Sequence, residues 1–80
     1  MNKIRLSAAF DGDIIKVVSN EYDENIVTNK RGLHFVDRIR FFKIVKVSNN
    51  GSAFCKGFDG KTKWFSLSTD KTIVAAYTHA

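Results

Sequence analysis

Residues 43–67, KIVKVSNNGSAFCKGFDGKTKWFSL, carry the strongest structural signals in the chain. They contain Asn50-Gly51 and Asp59-Gly60, the dipeptides favoured in two-residue type I′ hairpin loops, where both central residues take a positive φ. β-branched and aromatic residues fill the segments around the two turns. The stretch therefore predicts three antiparallel strands joined by two tight turns.

The rest of the chain carries further short β-like segments and contains no proline. Period-two alternation of apolar residues or β-branched runs predict strands at 4–10, 14–18, 26–28 and 72–77, and a longest strand that begins at Val36 or Arg38 and ends at Ser48. Asp11-Gly12 predicts the turn between the first two. No segment shows an apolar stripe with a helical period. The pattern predicts an all-β protein, with residues 1–80 forming one domain of about five to seven short strands.

So many short strands in 80 residues must close on themselves or leave their edges open. We therefore expect either a small barrel or a strongly bent antiparallel meander. In the second case an uncovered edge strand could pair with a second copy of the chain, which would give a homo-oligomer.

The order of these segments resembles that of Src-homology-3-like small barrels over residues 11–76. The resemblance is carried by Gly12-Asp13-Ile14-Ile15-Lys16-Val17-Val18, an acidic loop, the two hairpins, Trp64-Phe65-Ser66-Leu67 and a last strand at Ile73-Val74. It implies a small barrel fold. The proline-binding aromatics of the signalling members do not map onto this chain, so that function is not transferred. Members associated with translation and transcription bind RNA or partner proteins, which leaves both functions open.

The two hairpins predict which side chains share a face. With two-residue loops, Val47 lies opposite Phe54, and Cys55 lies opposite both Lys46 and Trp64. One face is then the core: Ile39, Phe41, Val45, Val47, Phe54, Phe65 and Leu67. The other face collects Arg38, Arg40, Phe42, Ile44, Lys46, Cys55, Thr62 and Trp64. Lys43 falls on the core face, and we expect a β-bulge near Phe41-Phe42 to relieve this.

The net charge of +5 is unevenly distributed along the chain. Residues 1–37 have five basic and six acidic side chains, a sum of −1, whereas residues 38–80 have eight basic and two acidic ones, a sum of +6. Such asymmetry favours a polyanionic partner, either nucleic acid or an acidic protein surface. A solvated surface that keeps a small protein in solution explains the charge equally well.

We expect the basic and aromatic residues of segment 38–67 to form a nucleic-acid-binding face, because flat aromatics stack on bases while Lys and Arg neutralise phosphates. The candidate residues are Arg38, Arg40, Phe42, Lys46, Lys56, Lys61, Lys63 and Trp64. In the alternative reading, Phe42, Ile44 and Trp64 form a second small core, and the lysines of the second hairpin only solvate the surface.

The sequence predicts no catalytic residue, metal site or cofactor. Asp11-Gly12-Asp13 is typical of a plain turn, and His34, Cys55 and His79 are too dispersed for a zinc site. Cys55 is predicted to be a packing thiol. A single cysteine fits a reducing compartment, and no apolar run is long enough to span a membrane. We therefore expect a cytoplasmic protein without a membrane partner.

Two functions remain open from the sequence. The first is a non-enzymatic module that binds RNA or single-stranded DNA. The second is a small protein-interaction module, such as an inhibitor or an antitoxin-like protein, that grips an acidic or RNA-bound partner protein. Lysine outnumbers arginine nine to four, a usage typical of A+T-rich genomes. This is consistent with a bacteriophage protein that acts in the host cytoplasm.

Overall fold

A computed structural model of the chain describes residues 2–25 and 34–79. The elements in chain order are β1 (Lys3–Ile4), a 3₁₀ turn (Leu6–Ala8), β2 (Ile14–Tyr22), β3 (Phe35–Val47), β4 (Ser52–Gly57), β5 (Thr62–Ser66) and β6 (Ile73–Tyr77). All neighbouring strands are antiparallel, so the all-β prediction and the predicted number of strands are confirmed. The predicted strand 26–28 lies outside the described residues.

The described strands form one six-stranded sheet in the order β1-β6-β2-β3-β4-β5. Strands β2 to β5 are a meander, and β6 returns to pair with β2. The sheet curls strongly into a half-barrel, so it is the bent meander of the two predicted alternatives. This architecture is compatible with the resemblance to Src-homology-3-like barrels.

The first predicted strand is wrong beyond Ile4. The chain leaves the sheet there and makes a 3₁₀ turn, in which the Ala8 N–H donates to the Arg5 carbonyl at 2.9 Å. The turn packs Leu6 and Ala9 against the core. The Asp11-Gly12 turn that follows is confirmed, and Gly12 has a φ of 93° there.

Strands β2 and β3 extend beyond the rest of the sheet as a two-stranded arm. Their pairing runs from Ile14 opposite Lys43 to Tyr22 opposite Phe35. β6 accompanies β2 only as far as Val17, and β4 accompanies β3 only from Phe42 onward. Residues 18–22 and 35–41 therefore have no other strand beside them within the described residues. The arm gives the molecule a long dimension of 42 Å against 24 and 23 Å.

Both hairpin turns lie where the sequence predicts them, but each loop is one residue longer. Ser48 pairs with Ser52 around 49–51, and Gly57 pairs with Lys61 around 58–60. Only the glycine of each turn has a positive φ, 85° at both Gly51 and Gly60. Because Asn50 and Asp59 keep a negative φ, these are three-residue loops rather than type I′ turns. The predicted register is therefore shifted, and Trp64 lies opposite Phe54 rather than Cys55.

A bulge occurs in β3, three residues later than predicted. Ile44 pairs with Cys55 and Lys46 with Phe54, which leaves Val45 as the extra residue. Because side chains alternate along a strand, the extra residue reverses the face of every residue before it. Val47 faces the core as predicted, whereas Ile39, Phe41 and Val45 are exposed.

The core lies inside the curl of the sheet. Its large members are Ile15, Val17, Phe42, Ile44, Phe65 and Ile73. The rings of Phe42 and Phe65 meet edge to face with centroids 4.9 Å apart. β4 contributes only the small residues Ala53, Cys55 and Gly57 to this side, and a Cβ at Gly57 would lie 3.2 Å from the Phe42 ring. These small residues allow β3 and β4 to curl tightly around the Phe42 ring.

Asp13 joins the end of the chain to the start of β2. It is 1% exposed, and its carboxylate accepts hydrogen bonds from the Phe10 N–H at 3.1 Å and the His79 N–H at 3.3 Å. The His79 Nδ1 lies 2.8 Å from the same carboxylate. Burial opposes ionisation of Asp13, but these bonds outweigh it and hold its pKa below the usual value.

Candidate nucleic-acid interface

The strand register defines an outer face, on the side of the sheet opposite the core. Side chains of directly paired antiparallel residues share a face. One row across the sheet consists of Tyr77, Ile14, Lys43, Lys56 and Thr62. A second row consists of Lys46, Phe54 and Trp64. Lys16 and Phe41 form a third, shorter row beside the first.

Aromatic side chains on this surface are open to solvent. Trp64 is 57% exposed and Phe41 37% exposed. The Trp64 ring leans on Phe54, with centroids 5.2 Å apart and planes at 48°. Phe58, in the loop between β4 and β5, is 75% exposed. Exposed Trp64 and half-buried Phe54, which touch, make a larger platform than one ring could provide.

The lysines of the outer face lie among these rings. Lys43, Lys46 and Lys56 are exposed. Within residues 2–25 and 34–79, none of them pairs with a carboxylate. A groove of about 500 Å³ separates β3 from the β4–β5 loop, lined by Lys43, Val45, Lys56, the Phe58 ring and the backbone of the loop. The Asp59 carboxylate borders the groove too, and its Oδ1 accepts the Lys61 N–H at 3.0 Å.

Arg38 and Arg40 lie on the other side of the sheet, the side that continues the core face along the arm. Arg38 forms an ion pair with Asp23, and Arg40 forms one with both carboxylate oxygens of Glu21. Arg40 and the Ser19 hydroxyl together lower the pKa of Glu21 to about 2. The charge of both arginines is therefore already balanced within the chain.

Lys61 and Lys63 also belong to the core side. A cleft of about 420 Å³ lies between the arm and β5, with Arg40 and Glu21 on one wall and Lys61 and Lys63 on the other. The Lys63 ammonium lies 5.1 Å from the centroid of the Phe65 ring. Its position between a buried ring and solvent is typical of a lysine that covers an open end of the core.

The predicted site residues are thus divided between two surfaces. Lys46, Lys56 and Trp64 share the outer face. Arg38, Arg40, Lys61 and Lys63 lie on the core side. The prediction that Phe42 shares an exposed face with Trp64 is wrong, because Phe42 is 9% exposed and packs in the core. The alternative second core is also wrong for Trp64, since the indole is mostly exposed.

The sequence does not predict four residues of the outer face to lie there: Phe41, Lys43, Phe54 and Phe58. The predicted bulge near Phe41-Phe42 and two-residue loops place Phe41 and Phe54 in the core, whereas the observed bulge at Val45 and the three-residue loops place both on the outer face. Lys43 gave the available signal, because a charged residue predicted inside the core indicated that the faces around it were inverted.

Cys55 lies on the core side, away from the outer face. Cys55 is fully buried, its Sγ lies 3.6 Å from the Ala53 carbonyl, and burial raises its pKa to about 11. No group of three or more His, Cys, Asp or Glu side chains within the described ranges is arranged to hold a metal ion. No helix among the described residues is long and apolar enough to cross a membrane.

Comparison of the chain with protein-family models, with curated proteins and with solved structures finds no match.

Proposed function

We propose that the protein binds single-stranded RNA or DNA through its outer face. The observation that carries the proposal is the continuous surface on which Trp64 and Phe54 adjoin lysines without carboxylate partners. Bases stack on exposed aromatic rings without regard to sequence, and lysines neutralise the phosphates between them. This combination is suited to a flexible strand, whose bases are free to turn towards the protein.

The groove beside Phe58 supports this assignment by its size and lining. Its volume of about 500 Å³ lies within the range of small-molecule sites, about 300–1,000 Å³. A base could enter between Phe58 and Val45, with its phosphates beside Lys43 and Lys56. Trp64 and Phe54 lie further across the same face and would receive a neighbouring base.

The experiment is a fluorescence-anisotropy titration of a labelled single-stranded oligonucleotide at two salt concentrations. If Lys43, Lys46 and Lys56 each neutralise one phosphate, log K falls with a slope of about −2 against log salt. Affinity then drops roughly 20-fold between about 50 and about 200 mM salt. Changing all three lysines to glutamine should remove most of this dependence.

The double variant Lys61→Gln, Lys63→Gln is the matched control for Lys43→Gln, Lys56→Gln, an outer-face double variant with the same loss of charge. It removes two lysines from the core side and leaves the outer face unchanged. If the control loses as much affinity as the outer-face variant, binding follows net charge and the outer face is not the site. If the native chain does not bind the oligonucleotide at low salt, the proposal fails.

A protein partner is a second candidate function, favoured by the apolar side of the arm. Ile39 is 57% exposed, and Tyr22, also exposed, contacts Phe35 with ring centroids 5.7 Å apart. A two-stranded ribbon is only marginally stable alone, so a partner covering this side would add stability. The protein-partner function would be supported by a protein that still co-purifies after nuclease treatment and that no longer co-purifies with an Ile39→Asp variant. Loss of every partner after nuclease would refute it.

A further inference from the structure

Strand β5 forms one edge of the sheet and pairs only with β4 among the described strands. Two hydrogen bonds fix the direction of its backbone groups: Gly57 N–H to the Lys61 carbonyl at 2.8 Å, and Leu67 N–H to the Gly51 carbonyl at 3.1 Å. Because hydrogen-bonded and non-hydrogen-bonded pairs alternate in an antiparallel ladder, Lys63 and Phe65 also bond to β4. Thr62, Trp64 and Ser66 therefore direct their N–H and C=O groups to the open edge.

We propose that two copies of the chain associate through β5, antiparallel and about a two-fold axis at Trp64. In this register Trp64 pairs with Trp64 of the second copy, and Ser66 pairs with Thr62 of the second copy. The two Trp64 residues exchange both backbone bonds, and each Ser66 N–H donates to a Thr62 carbonyl. The Ser66 carbonyl already accepts the Asp70 N–H at 3.0 Å. Four intermolecular backbone hydrogen bonds result.

Charge selects this register over its neighbours. Each Lys63 lies opposite a Phe65 of the second copy, the same ring type that its ammonium already approaches at 5.1 Å within one chain. A two-fold axis at Lys63 would instead place two lysines directly opposite each other, which is unfavourable. A two-fold axis at Phe65 would leave Thr62 without a partner, because the β5 strand of the second copy ends at Ser66. The axis at Trp64 alone pairs all five residues without facing like charges.

The side chains of the edge also fit a second copy. The Trp64 indole, 57% exposed in the single chain, would pack against its counterpart on the outer face. The opposite edge of the sheet is β1, which has only two residues. Of the two outermost strands, β5 is therefore the one long enough to pair, and an isologous contact of this kind closes at a dimer without forming a filament.

The test is sedimentation velocity on nucleic-acid-free protein over a concentration series from low to high micromolar. A twofold rise from the 9.0 kDa mass of the chain is expected as concentration increases. The emission of Trp64, the sole tryptophan, should shift to shorter wavelength over the same series as the indole becomes buried. A mass that stays at one chain at every concentration overturns the proposal.

Two variants of one residue test the strand. Ser66→Pro removes the outward N–H and should keep the chain monomeric, since proline is tolerated on an edge whose N–H faces solvent. Ser66→Ala keeps the N–H, loses the same hydroxyl and should dimerise like the native chain. If Ser66→Pro dimerises as well as Ser66→Ala, the pairing is wrong.

A third variant covers failure of Ser66→Pro to fold. Trp64→Lys places two ammonium groups opposite each other at the two-fold axis, and its exposed position should allow the chain to fold. A monomeric Trp64→Lys protein supports the register, and a dimeric one refutes it. No step of this test uses nucleic acid, so dimerisation is measured separately from oligonucleotide binding, although both proposals involve Trp64.

Discussion

Phe41 and Phe42 are neighbours in β3 that lie on opposite faces of the sheet, and replacing each with alanine tests the face assignment. Phe42 is 9% exposed, and its ring packs on Phe65 with centroids 4.9 Å apart. Truncating a buried phenylalanine typically costs about 3–5 kcal/mol, because both the burial and the packing are lost. Phe41 is 37% exposed, borders solvent on the outer face and leaves no enclosed cavity. We expect Phe41→Ala to cost only about 1–1.5 kcal/mol.

The assay is urea unfolding followed by far-UV circular dichroism. Trp64 is 57% exposed in the single chain and its emission is also expected to report dimerisation, so its fluorescence is a poor reporter of unfolding. A chain of 80 residues has a free energy of unfolding of about 4–12 kcal/mol, and Phe42→Ala should remove a large part of it. Phe42→Leu, expected to cost about 1.5 kcal/mol or less, keeps the measurement possible if the alanine variant does not fold. Equal losses for Phe41→Ala and Phe42→Ala, or a larger loss for Phe41→Ala, would refute the bulge at Val45.

Three further predictions follow from individual contacts. Trp64→Ala should leave the fold intact and weaken oligonucleotide binding by about 1–3 kcal/mol, the usual contribution of one stacked base; unfolding of this variant would place the indole in the core. Asp13 has a lowered pKa in the folded state, so its contribution to stability is complete above the unfolded-state pKa and is lost as pH falls through the folded-state pKa. Stability measured below about pH 4 should therefore fall less steeply in Asp13→Asn, which starts from a lower value at neutral pH. The Cys55 thiol, with its pKa raised to about 11, should resist alkylation at pH 8 until the protein is unfolded.

The sequence predicts the strands far better than the faces of those strands. Turn dipeptides fix where the chain reverses, and Asn50-Gly51 and Asp59-Gly60 do so here. Such a turn has two residues when the residue before glycine also takes a positive φ, and three in this protein, where it does not. The amino-acid sequence alone does not determine that φ. The extra residue in each loop shifts the register by one position, and a shift of one changes which side chains meet.

The bulge at Val45 was the harder feature to predict. Alternation identifies a buried face only when the other face is polar, but in β3 Ile39, Phe41 and Val45 are as apolar as Phe42, Ile44 and Val47. Counting back from Val47 without a bulge after Ile44 therefore gave a plausible but inverted core. Lys43 was the one charged residue whose position contradicted that assignment. A strand that is apolar on both faces does not specify which of its side chains point to the core. In β3 this is determined by the curl of the sheet around the small residues of β4.

The fold also changes where the positive charge is available. Along the sequence, the acidic residues belong mainly to the first half and the basic ones to the second, but the β2–β3 arm brings Glu21 to Arg40 and Asp23 to Arg38. Those arginines, which the sequence favoured for phosphate contacts, are therefore balanced within the chain. A polyanion that approached them would have to compete with carboxylates already in place. Lys43, Lys46 and Lys56 form no ion pair among the described residues, so the outer face is where an added phosphate would gain the most.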